Sequence, residues 1–531
     1  MATALSLFPI VLLIYLMTKK NSVPSFKALP LVALILYVLK MAYFDVEANL
    51  VNATVVEGLL TALVPISIVW GAIFLFKTME YTGAMDTIRT WLNGVTTNKV
   101  AQAMIVGWAF AFLIEGASGF GTPAAIAAPI LVGLGFPAVR VAILCLIMNS
   151  VPVHFGAVGT PGWFGLGQLE GIGPMQLLEI GQKASILHFC AALVVPVIAL
   201  TFALSFKEVK KNLVFVYLSI LSCTVPYVIA ARFDYEFPSV VAGATGLVLS
   251  AFFAQKKIGL AREEGEVRVA NQVSLPALVK ASFPLWGTVA ILLVTRIKQL
   301  GVKPLLVSKT PIMEVSLGSF GDLSLSRSLV LSLQHIFGTD AGWAYQTLYI
   351  PALLPFILIS SMAFILFSAQ KAAVNRTVSE SLTQMKKPVM ALLGALVFVK
   401  LLMLGTAQVE ANTIIIGKAL AEAMGTQWKF FASYLGALGA FFSGSNTVSN
   451  LTFGGIQYSI AKNLGLNPLT ILSMQSVGGG MGNMVCIHNI VAVCSVLGLS
   501  NQEGFILKRT MIPMLVYGAI VGVVGFIMLA G

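Results

Sequence analysis

Residues 115–136 read EGASGFGTPAAIAAPILVGLGF, and their organisation decides how the chain is built. The apolar run AFAFLI at 109–114 leads into Glu115, and a Gly/Ser-rich break follows. The apolar stretch beyond the break is too short for a full span, which takes about 20 residues. A second stretch of the same make, SGSNTVSNLTFGGIQYSIAKNLGL, occupies 443–466. Lipid cannot satisfy the free N–H and C=O groups of an interrupted helix, so irregular backbone at membrane depth occurs only beside protein or a water-filled cavity. Each break therefore predicts a cavity.

The remainder of the chain sets these breaks in a bilayer. Of its 531 residues, 58% are hydrophobic and 10% charged, where a soluble domain is about a quarter charged. Apolar stretches of spanning length recur throughout, which predicts an all-α polytopic membrane protein of about 12–14 transmembrane helices. The first stretch, near residues 5–17, lacks a basic leader and a small-residue cleavage site, so it is read as a retained helix. Cys145, Cys190, Cys223, Cys486 and Cys494 all lie in apolar stretches with neither disulfide nor zinc spacing. The net charge of +12 comes from short clusters between apolar stretches: Lys19/Lys20/Lys27, Lys207/Lys210/Lys211, Lys256/Lys257/Arg262/Arg268 and Lys371/Arg376/Lys386/Lys387. Such clusters mark cytoplasmic loops rather than a nucleic-acid surface. The polar segments 256–275 and 301–342 read as extramembrane loops.

The two breaks belong to a longer internal similarity. WGAIFLFK at 70–77 parallels LGALVFVK at 393–400, aligning Gly71 with Gly394 and Lys77 with Lys400. SGFGT at 118–122 parallels SGSNT at 443–447, and LGFPAV at 134–139 parallels LGLNPL at 464–469. The expected organisation is N-terminal membrane helices over 1–56, a first repeat over 57–206 with its hairpin at 115–136, and connecting helices and loops over 207–387. A second repeat over 388–497 with its hairpin at 443–466 and a C-terminal helix over 498–531 complete it. Placing Lys19/Lys20 and Lys256/Lys257 on one side of the membrane requires an additional break in 150–183, where Pro152, Pro161, Pro174 and eight glycines supply one. That correction makes the repeats antiparallel, each with a re-entrant hairpin or broken helix.

Glycine lets backbone approach a ligand, Ser, Thr and Asn cap the following helix, and a helix N-terminus attracts an anion. Ser118, Gly119, Gly121 and Thr122 in the first break, and Ser443, Ser445, Asn446 and Thr447 in the second, are thus candidate substrate ligands. The competing reading is that these small residues only permit close helix packing. Lys77 and Lys400 are candidates for balancing an anion, although Glu80 stands ready to pair with Lys77. Glu115 is a candidate proton carrier, the alternative being a permanent ion pair with a lysine. His154, in NSVPVHFGAVGTPGWFG, is a second proton candidate or a hydrogen-bonded core histidine, and His188 and His488 carry less of this signal. HExxH, GxSxG and Walker A patterns are missing, and no Rossmann fingerprint follows a strand, so neither an enzyme nor a cofactor is expected, and energy must come from an ion or substrate gradient.

At EGASGFGTPAAIAAPILVGLGFPAVR (115–140) and GAVGTPGWFGLGQL (156–169) the chain resembles the lactate permease family. The resemblance implies import of L-lactate, D-lactate and glycolate with a proton, in a bacterial cytoplasmic membrane. The SNT of SGSNTVSN (443–450) is similar to the hairpin-tip motif of the wider ion transporter superfamily, which implies that Ser445, Asn446 and Thr447 contact the substrate carboxylate. Phe120-Gly121-Thr122 departs from that motif in the first repeat, which favours a proton and a small anion over sodium. A sodium-coupled dicarboxylate carrier, another anion carrier and an anion channel stay open as alternatives.

Overall fold

The computed structural model describes residues 1–19, 23–119, 122–261, 273–296, 300–350, 353–499 and 502–530. Lys20, Phe120, Gly121, Arg262 and Arg268 lie outside them, as do the side chains of Ser118, Thr122 and His488. The chain forms two compact units, one of Met1–Ala84 with Ser282–Ala423 and one of Met85–Ala281 with Met424–Gly531. Most of it is helical. Among the described residues five helices are long and apolar enough to cross a membrane, or eight if each of three bent pairs counts as one span. The regular spans expected from apolar runs are fewer because several runs are cut: Ala138–Met148 and Val151–Trp163 meet at 51°, and Pro174–Ala192 and Val195–Ala203 at 41°.

The first unit is organised by one long helix, Lys371–Met403, packed against helices Ser25–Ala42, Ala48–Thr61 and Leu63–Tyr81. Just beyond its C-terminus, the Leu404 carbonyl accepts a hydrogen bond from the fully buried Lys40 Nζ at 2.6 Å. A cation there complements the negative end of the helix dipole.

The same unit corrects the all-α expectation. The segment read as a loop over 301–342 carries most of a four-stranded antiparallel sheet, β1 (Pro311–Ser316), β2 (Asp322–Ser326), β3 (Val330–Gln334) and β4 (Trp343–Gln346), in that order. Its cause is visible in the sequence. Leu323 and Leu325 alternate with serines and pair across strands with Leu333 and Leu331, while Ser324 faces Ser332. A period of two sends the leucines to one face. There Leu333, Ile336 and Trp343 bury themselves with Ala53 of the Ala48–Thr61 helix, so the sheet docks on a membrane helix.

In the second unit, a π-helical stretch Ala103–Phe110 runs into α1 (Ala111–Ser118). The apolar window of the helix they form with Lys99–Gln102 is 94% buried, against 39–50% for the four other candidate spans. A helix apolar all round and enclosed all round belongs to the unit's core. Next along the chain come α2 (Thr122–Gly133), α3 (Ala138–Met148), α4 (Gly156–Trp163) and α5 (Pro174–Ala192). Beyond these lie α6 (Pro238–Gln255), α7 (Trp428–Ser443), α8 (Asn446–Asn463), α9 (Pro468–Gly482) and α10 (Glu503–Ala530). The similar sequences share local form. Gly119 after α1 and Gly444 after α7 share a positive φ, of 62° and 70°, but part at ψ, −157° against 16°, while Gly135 and Gly465, both at positive φ, introduce the helices α3 and α9.

Candidate functional site

Residues of both breaks line one narrow cavity inside the second unit, with room for about a single water. Glu115, Gly119, Val153, Gly156, Ala157 and Pro161 come from the first half of the chain, and Gly444, Ser445, Asn446, Thr447 and Asn483 from the second. The two sets lie 283 residues apart at their nearest, from Pro161 to Gly444. The cavity therefore gathers five of the residues expected at a site: Glu115, Gly119, Ser445, Asn446 and Thr447.

The second break is built by its own hydroxyls. Ser443 Oγ donates to the Gly439 carbonyl at 2.7 Å and receives the Ser445 N–H at 3.3 Å. Ser445 Oγ accepts from the Val448 N–H at 3.3 Å and so caps α8. That cap uses one of the helix's free donors and aims the N-terminus of α8, with Asn446 and Thr447, at the cavity. Ser443 thus shapes the turn without lining the cavity.

Glu115 closes the other end of the set. It is 1% exposed, and its Oε2 accepts a hydrogen bond from Asn149 Nδ2 at 3.1 Å. Among the described residues no basic side chain forms an ion pair with it. The carboxyl leans on Gly156, where a β-carbon would stand 2.6 Å from Oε1 and push the carboxyl aside. After Gly156 the backbone is left-handed at Ala157, Val158 and Gly159, with φ of 44°, 56° and 72°. Non-glycine residues in that region are strained, and strain of this kind collects at functional sites.

His154 does not line the cavity; it lies in the adjoining 3-10 turn Val151–Phe155, 1% exposed. Its Nδ1 is 2.6 Å from Ser476 Oγ, an oxygen that also receives Asn450 Nδ2 at 2.8 Å and Asn446 Nδ2 at 3.4 Å. His188 is hydrogen-bonded to Tyr517, with its ring centroid 6.5 Å from that of His154.

Lys77 and Lys400 belong to the first unit and are both held by carboxylates. Lys77 Nζ lies 2.8 Å from Glu80 and 3.2 Å from Glu380, and Lys400 Nζ lies 2.7 Å from Glu57. The sequence foretold the first of these partners, but Glu57 and Glu380 are too distant along the chain to be foreseen. Asn149, Asn450, Ser476 and Asn483 were also missed, although polar residues in otherwise apolar helices such as ILSMQSVGGGMGN (471–483) were a usable signal.

The family model described as L-lactate permease matches residues 2–530. The chain is 49% identical to the "Putative L-lactate permease" of Haemophilus influenzae, over 97% of this chain and 96% of that one. It is 26% identical to the "Glycolate permease GlcA" of Escherichia coli, over 91% and 87%. A solved structure of Neisseria gonorrhoeae MtrF, whose title places it in a class of antimetabolite efflux pumps, aligns over 98% of each chain at 12% identity and a TM-score of 0.48, too low to inform the fold.

Proposed function

Because the chain belongs to the L-lactate permease family, we propose that it is a secondary active transporter that imports lactate and related 2-hydroxy monocarboxylates such as glycolate together with protons. The observation that carries this reading is the cavity in which a buried carboxyl, Glu115, faces the same space as the capped N-terminus of α8. The helix N-terminus and the side chains of Ser445, Asn446 and Thr447 offer donors to a carboxylate. Glu115, held among the described residues by an amide alone, takes the proton that travels with it. Ser118, Gly121 and Thr122 complete the anion site from the other break, whose tip lies outside the described residues.

In this reading the two similar halves are inverted repeats with re-entrant hairpins, and alternating access comes from one element moving against the other around the site. The membrane is the bacterial cytoplasmic membrane. Lys77 and Lys400 attract the anion only when they leave their carboxylates, which makes their part secondary. His154 is a relay behind the cavity rather than a ligand in it.

The test has two parts in proteoliposomes: counterflow of labelled L-lactate with glycolate and succinate as competitors, and net L-lactate entry into unloaded vesicles with a pH-sensitive dye inside. Glycolate is expected to compete, succinate to be ignored, and lactate entry to acidify the lumen. Succinate exchange with a sodium requirement would replace this reading with a dicarboxylate carrier, and a flux that never saturates would replace it with a channel.

A further inference from the structure

We infer that Ser476 is a positioning residue that fixes the tautomer of His154 and, through the same oxygen, sets Asn446 at the cavity; this rests on the transport reading above for its link to substrate. The argument is a count of protons and lone pairs. Asn450 presents one amide end to the Pro161 carbonyl at 2.8 Å, and a carbonyl only accepts, so that end is Nδ2. The same Nδ2 lies 2.8 Å from Ser476 Oγ and therefore donates to it. Asn446 Nδ2 approaches the same oxygen at 3.4 Å. With Asn446 turned amide-first, as it stands, both lone pairs of Ser476 face amide donors, and its single hydroxyl proton goes to His154 Nδ1 at 2.6 Å.

It follows that His154 keeps a lone pair on Nδ1 and its proton on Nε2. All of the participants are buried: Ser476 and Asn450 are fully enclosed and Asn446 is 2% exposed. Water therefore cannot readily replace a lost partner, and an unpaired polar group there is costly. The titratable groups around the ring are His188, bonded to Tyr517, and Tyr227, which stands edge-on to the neighbouring Phe155; Glu115 is the carboxyl of the adjoining cavity. Among the described residues no Asp, Glu, Lys or Arg forms an ion pair with His154.

A proton placed on Nδ1 would turn that nitrogen into a donor. Ser476 would then have to accept from it and give up one amide, and the longer contact, to Asn446, is the one to yield. Asn446 lines the cavity, so the charge state of His154 and the position of a substrate ligand are mechanically tied through one hydroxyl.

Two measurements on the full-length protein in liposomes test this. Nitrogen-15 spectra of histidine-labelled protein, with His154 identified by its loss in His154→Gln, are expected to show the Nε2–H tautomer with a hydrogen-bonded lone pair at Nδ1. An Nδ1–H tautomer, or an imidazolium at neutral pH, would overturn the inference. In uptake assays Ser476→Ala is expected to raise KM for L-lactate about tenfold and to change the pH profile, while Ser476→Thr, which keeps the hydroxyl, restores both. Wild-type KM and pH profile in Ser476→Ala would also overturn it. A protein that shows the expected tautomer but carries no lactate would sink the transport reading and leave the hydrogen-bond assignment standing.

Discussion

Two acidic residues at the edges of apolar runs, Glu57 and Glu115, meet opposite fates. Glu57 is one-fifth exposed and holds Lys400 at 2.7 Å, so its charge is neutralised inside the membrane unit that contains it. Glu115 is almost wholly enclosed, receives one amide hydrogen bond and has no cationic partner among the described residues. A group paired with its counter-charge is an anchor, because separating the two leaves each stranded. A carboxyl held only by an amide is free to change its charge state as the contents of its cavity change. The difference teaches where to look for the proton of the proposed symport: at the acid to which the described residues supply no base.

The comparison breaks first at Glu115. In Glu115→Gln, which keeps the shape and the reach to Asn149, accumulation driven by an inward proton gradient is expected to vanish while exchange of labelled for unlabelled lactate persists; unchanged accumulation would return Glu115 to the structural class. Next in size is Gly156→Ala, whose β-carbon would press on Glu115 Oε1 from 2.6 Å. It is expected to lower gradient-driven uptake about tenfold, the worth of one buried hydrogen bond, as read in the same assay. Lys400→Ala is expected to cost about 2–3 kcal/mol of stability, the scale of a charge-assisted hydrogen bond, measured by thermal unfolding in detergent. Removing Glu57 as well should recover part of that loss, which it would not if the pair were merely adjacent.

The smallest effect lies outside the membrane helices, where Asp322 on β2 meets His335 at 3.0 Å. Hydrogen bonds from His335 and then Ser316 hold the Asp322 carboxyl below its usual range. A carboxyl whose folded value is depressed adds stability above its unfolded value of about 4, and loses it as pH falls through the folded value. Asp322→Asn should therefore lower stability slightly at neutral pH and match the wild type once pH has fallen below the folded value, which flattens the acid side of the stability–pH curve, as followed by tryptophan fluorescence.

Reading the sequence alone located Glu115, Gly119 and the Ser445–Thr447 turn because a polar break in an apolar run is a local signal, carried by residues next to one another. The helical character of the chain was legible for the same reason. What escaped was set by distance or by period. Glu57 finds Lys400 from 343 residues away, and Ser476 meets His154 from 322. The sheet escaped because its leucine–serine alternation lies in a Ser/Gly-rich segment, where polarity drew attention away from the period of two. The left-handed run at 157–159 carries two residues, Ala157 and Val158, that sequence gives no reason to place there.

That run has a consequence for how the cavity changes shape. Each β-carbon held in the left-handed region raises the energy of the chain by about 1–2 kcal/mol, and here two stand in succession at the cavity wall. The segment is a loaded latch. Tertiary contacts keep it cocked, and under the proposed alternating access a rearrangement that loosens them would be helped along by backbone relaxing toward its ordinary conformation.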